Sequence, residues 1–206
     1  MHPRVLETLL SAAVAVPLTY FGAQAAAAPF FPEYSALTVS ASDLGSDRSL
    51  RPEVLNFGAI LTGFLALLGS VGLAIAVPRV STAKVLSWLL AACVASIGLA
   101  AAWAGLHPLP STQHDPGVLG AGMFAAPFAA ALLAMRVEQF APLRWALCIN
   151  LLAFGLCAWV LSGAAGINLA QFGGLAQKLI AAVCFAPPAV IAFVTLRQLK
   201  RQQSAA

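Results

Sequence analysis

Apolar runs of membrane-spanning length recur along this chain, and no other feature leaves so few folds open to it. About 20 consecutive apolar residues cross the hydrocarbon core of a bilayer as a helix. Six runs of this kind can be marked, at about 6–28, 54–77, 85–106, 117–135, 144–162 and 175–196. In hydrocarbon each backbone amide and carbonyl needs an internal partner, which a helix supplies. The sequence therefore predicts an all-α fold, a polytopic bundle of six transmembrane helices forming one domain over residues 1–206. Composition agrees, because only 9% of the residues are charged, where a soluble domain carries about a quarter. The longest stretch between runs, 29–53, is too short for a separate soluble domain.

Turn-forming residues mark the breaks. Pro29 and Pro32 end the first run, and Ser49 or Arg51-Pro52 is suited to start the second helix, with Pro52 near its first turn. Residues 107–116 are dense in turn formers, and a glycine-rich connection runs from Ser162 to Gly174. Pro187-Pro188 is expected to kink or interrupt the last helix unless neighbouring groups satisfy the freed carbonyls. In the second run, Gly58, Gly63, Gly69 and Gly72 allow close helix approach. The first run has two readings. Arg4 ahead of it and Ala23-Gln24-Ala25 near its end suit a cleaved secretory signal, whereas its length, Pro17 and Glu7 favour a retained helix.

The net charge of +4 is spread over segment ends. It forms no basic stripe, so nucleic acid is not an expected partner. With the N-terminus inside, the cytoplasmic connections hold Arg4, Arg79, Lys84, Arg136, Arg144, Arg197, Lys200 and Arg201, and the outer ones hold Arg48, Arg51 and Lys178. This positive-inside bias predicts a multi-pass protein of the bacterial inner (cytoplasmic) membrane with both ends cytoplasmic.

The outer connections gather Asp43, Asp47, His107, His114, Asp115 and Lys178 into one layer. Imidazole and carboxylate can ligate a borderline metal such as zinc, or act as base and orienter in hydrolysis. His114, Asp115 and His107 are thus the candidate catalytic residues. Asp115 also has a structural reading, as the cap of the fourth spanning helix with Pro116 at its first position. Ser42 or Asp43 can likewise close an Asx-type turn. Lys178 stands against the charge bias, and it would snorkel, contact a ligand, or pair with Asp43, Asp47 or Asp115. Asp43, Ser42, Asn56 and Lys178 are the candidate ligand-binding residues. Asn56 and Asn150 are suited to hydrogen bonds between helices. No cofactor or metal can be named from these residues. The four cysteines lie in apolar runs as small hydrophobes.

Several short pieces recur together in order. They are Ser42-x-Leu44-Gly45 after the first helix, Asn56, Gly58 and Gly63 in the second, Pro108 in the outer turn, His114 before the fourth helix, and Gly174-x-x-Gln177-Lys178 at the mouth of the sixth. On these the chain resembles the bacterial DUF998 family of six-helix membrane proteins. The resemblance implies a small pocket opening to the outside or the outer leaflet, and it supplies no reaction. Two departures bear on catalysis: His107-Pro108-Leu109-Pro110 replaces an aromatic-Pro-x-Asp turn, and Gln177 stands where the family typically has an acid.

Two functions remain open. One is binding, at the outer face, of a lipid-like or small amphipathic ligand or of a partner membrane protein. The other is a membrane hydrolase or transferase using the His/Asp group. A transporter is less supported, because no charged relay crosses the spans. Membrane lipids are partners in every case.

Overall fold

The computed structural model describes residues 2–204. Its spanning helices are α1 (Pro3–Ala27), α3 (Pro52–Val80), α4 (Lys84–Leu106), α5 (Ala121–Arg136), α6 (Arg144–Leu161) and α7 (Leu169–Ser204). A single helical turn, α2 (Ala41–Leu44), interrupts the long connection after α1. The described residues contain six helices long and apolar enough to cross a membrane and no strand, so the protein is an all-α, multi-pass membrane protein. Six crossings place both chain ends on one face. We call this the terminal face. The opposite, loop face carries the connections after α1, α4 and α6.

Neighbour relations close five helices into a ring in the order α1, α3, α4, α5, α7 and back to α1. The sixth, α6, packs outside the ring against α5 and α7. Leu147 is its only buried residue, while Trp145, Ile149, Leu152, Leu156 and Trp159 are exposed to the surroundings. The ring is tight where small residues meet. A Cβ on Gly69 would lie 2.6 Å from the Ala13 backbone, and one on Gly63 would lie 2.6 Å from the Gly98 carbonyl oxygen. The glycines of the second run therefore set the α1–α3 and α3–α4 separations by removing the atoms that would hold these backbones apart.

Two expectations are revised. The connection after α6 is shorter than the composition suggests, because α7 begins at Leu169 rather than near 175 and runs for 36 residues. At 1.5 Å per residue it is about 54 Å long, well beyond the hydrocarbon thickness. The pair Pro187-Pro188 does not interrupt it. Pro187 lacks the amide hydrogen that would bond the Val183 carbonyl one turn back. Asn150 of α6 donates its Nδ2 to that oxygen at 2.9 Å, filling the vacant position from a neighbouring helix.

Candidate functional site

The connection after α1 is folded, and its own apolar residues hold it. Ala27, Phe31, Val39, Leu44 and Leu55 form a small buried cluster at the loop face, separate from the main core. Within it, Ser40 caps α2. Its Oγ accepts from the Asp43 amide at 3.1 Å, and the Asp43 carboxylate accepts from the Ser40 amide at 2.8 Å. This reciprocal capping box places Ser40 at the helix start. It occupies Asp43, which also faces Arg48 at 3.6 Å.

Three further ties fix α2 in place. Asn56 of α3 donates to the Gly45 carbonyl at 2.9 Å, and the Ala41 amide donates to Oε1 of Gln177 at 2.6 Å. The third tie is Lys178, whose ammonium donates to the carbonyls of Val39 at 2.6 Å, Gly174 at 3.2 Å and Ala36 at 3.3 Å. Of the readings open to Lys178, pairing with a carboxylate gives way to these three main-chain oxygens. An ammonium has three donors and no acceptor, so the cage uses its full capacity. Gly174 is needed beside it, since a Cβ there would overlap the Val39 carbonyl oxygen.

The connection after α4 supplies His114. Trp103 donates its indole N–H to the Gln113 carbonyl at 2.6 Å. Asp115 accepts from the Gly117 amide at 2.8 Å and remains exposed; it closes an Asx-type turn instead of capping the fourth spanning helix, which starts at Ala121 after Gly120. The His114 ring then bridges two segments. Its Nδ1 lies 2.8 Å from the His107 carbonyl oxygen, and its Nε2 lies 2.8 Å from Ser42 Oγ. A carbonyl oxygen only accepts, so Nδ1 carries the hydrogen in the neutral ring. Nε2 is then left bare to accept from the Ser42 hydroxyl.

His107 contributes its main chain, while its ring packs against Trp103 with centroids 4.4 Å apart. The expected trio of His107, His114 and Asp115 side chains is therefore not assembled. Among the described residues no three His, Cys, Asp or Glu side chains group to hold a metal ion. The structure instead pairs His114 with Ser42.

Beneath this pair lies a cavity of about 90 Å³ between the loop-face ends of α1, α3 and α4. Ser42, Asn56 and His114 supply its polar rim, and Tyr20, Leu55 and several alanines supply the rest. Tyr20 packs edge-on against Phe185 of α7, with ring centroids 4.9 Å apart. Its hydroxyl has no hydrogen-bond partner among the described residues. Tyr20 carried no signal in the sequence, since an aromatic residue within an apolar run reads as packing.

A family model described as "Protein of unknown function (DUF998)" matches residues 13–194. The chain belongs to the DUF998 family. No curated protein and no solved structure matches it. In this DUF998 protein, the segments around Ser42, Asn56, His114 and Gln177-Lys178, far apart in sequence, converge on one small region of the loop face.

Proposed function

We propose that this protein sits in the bacterial inner membrane with both ends cytoplasmic and receives a lipid-like or small amphipathic ligand in the cavity at its outer face. The supporting observation is the shape of the site, an apolar pocket rimmed on one side by Ser42, Asn56 and His114. An apolar wall with a few convergent polar groups is the common form of a small-molecule site. Its volume suits the end of a chain or a compact group rather than a whole lipid. The distribution of basic residues supports the orientation.

The test is photo-crosslinking of the purified protein with a short-chain diazirine fatty acid. Label is expected on the Tyr20 and Leu55 peptides, and Ala59→Phe, which fills the cavity, is expected to remove it. Label spread evenly over lipid-facing α6, unchanged by Ala59→Phe, would sink the reading.

The Ser42–His114 pair supports a second reading, a hydrolase or acyltransferase. A hydroxyl donating to a bare imidazole nitrogen, with the other ring nitrogen oriented by an acceptor, is the arrangement that activates serine as a nucleophile. Ser42 Oγ would attack an ester carbonyl carbon while His114 takes the hydroxyl proton. That proton would pass to the leaving alcohol as the ester C–O bond breaks, and water or a second alcohol would release the acyl group. A fluorophosphonate is expected to form a covalent adduct on Ser42, and His114→Gln to prevent it. An unmodified Ser42 after prolonged exposure in the folded protein would reject catalysis and leave the binding reading intact.

A further inference from the structure

A second cleft, unrelated to the Ser42 cavity, opens at the terminal face. It measures about 370 Å³ and is lined by Arg79 and Val80 at the end of α3, Gln139 in the connection after α5, and Gln198, Arg201 and Gln202 on the last turns of α7. Arg79 and Arg201 both line it, and both are exposed. The ion pairs among the described residues are Arg48–Asp43, Arg51–Glu53 and Arg144–Glu138, so neither Arg79 nor Arg201 pairs with a carboxylate among them. Glu138, next to Gln139, is held by Arg144 at 3.0 Å. Like charges converging on one cleft repel each other unless an anion lies between them.

The glutamines narrow the ligand. The Gln198 amide donates to the Gln139 carbonyl at 3.4 Å, while its Oε1 is buried without a partner. Arginine only donates, so it recognises phosphate oxygens, often in bidentate fashion. Glutamine also accepts, so the amide oxygens of the cleft can take a donor such as a hydroxyl, that of Gln198 once its amide turns toward the cleft. Charge bias across a membrane requires arginines at one face. It does not require two of them to line one cleft with three primary amides.

We propose that this cleft binds a phosphodiester or phosphomonoester bearing hydroxyl groups, with the headgroup of an anionic polyol phospholipid as the favoured source. Basic pockets between helices at a membrane face hold such headgroups. α7 is longer than the hydrocarbon is thick, and Arg201 lies in its last turn, which favours headgroup depth for it.

The test uses the full-length protein in phosphatidylcholine nanodiscs containing a minor fraction of phosphatidylglycerol, transferred to mild detergent for native mass spectrometry. Retained phosphatidylglycerol is expected to exceed its share of the bilayer. Arg79→Gln with Arg201→Gln should lower retention roughly tenfold or more, with the melting temperature in pure phosphatidylcholine unchanged as a check of folding. Arg201→Lys keeps the charge and should lose less. Gln198→Leu should erase the preference for phosphatidylglycerol over phosphatidic acid, which has no headgroup hydroxyl. Displacement by sn-glycerol 3-phosphate would support the chemistry and assign the cleft to a soluble polyol phosphate. Equal retention of phosphatidylglycerol and phosphatidylcholine, or full retention by the double variant, would overturn the proposal.

Discussion

The two faces of the bundle spend their polar groups in opposite ways. At the loop face, Asp43, Asn56, His114 and Lys178 each bond to a defined protein partner, and several of those partners are main-chain oxygens. At the terminal face, Arg79 and Arg201 line a cleft and form no ion pair among the described residues. Buried or half-buried polar groups that are fully paired rigidify what they join. Charges left without partners contribute little to the fold and remain available to something else. The loop face is therefore expected to respond to substitution through stability, and the terminal face through binding.

The largest effect should come from Gly174→Val. Its side chain would occupy the space of the Val39 carbonyl, and overpacking of this kind costs about 3 kcal/mol. Thermal melting in detergent should show the loss, and limited proteolysis should then cut within 31–50. Lys178→Met comes next. It leaves three carbonyls without their donor, costing about 2 kcal/mol in the same melt. Lys178→Arg should restore only part of this, because a planar fork does not match three converging oxygens. Ser42→Ala breaks one hydrogen bond and should cost about 1 kcal/mol. A loss of fluorophosphonate labelling far greater than that stability change would separate catalysis from simple loop anchoring. Arg79→Gln with Arg201→Gln should shift stability by no more than about 0.5 kcal/mol in a zwitterionic bilayer. A large destabilisation there would erase the contrast between the faces.

Much of the bundle was legible beforehand because lipid imposes a simple rule on length and polarity. The spans, the glycines at the α1–α3 and α3–α4 contacts, and the helix start at Pro52 all follow from it. The site was legible only by neighbourhood. His114, Ser42, Asn56 and Lys178 could be assigned to one membrane layer, but their partners could not be foreseen. For Lys178 snorkelling, a ligand and a carboxylate are all open by residue type, yet its partners are carbonyls, which every residue carries and no residue type reveals. By residue type His107 is suited to chemistry through its ring, and it acts on His114 through its backbone. Asn150 was expected to join helices. Its particular target, the carbonyl freed by Pro187, required the register between α6 and α7.

The Lys178 cage also bears on how the chain is made. Lys178 lies 139 residues after Val39, the carbonyl it holds most closely. At ribosomal speeds of about 5–20 residues per second, that separation is a delay on the order of ten seconds. Over this interval the segment bearing Ser42 lacks its ties to α7, although α1 and α3 have already been synthesised. The site nearest the beginning of the protein is thus among the last to be completed, and it is locked by the helix that closes the ring.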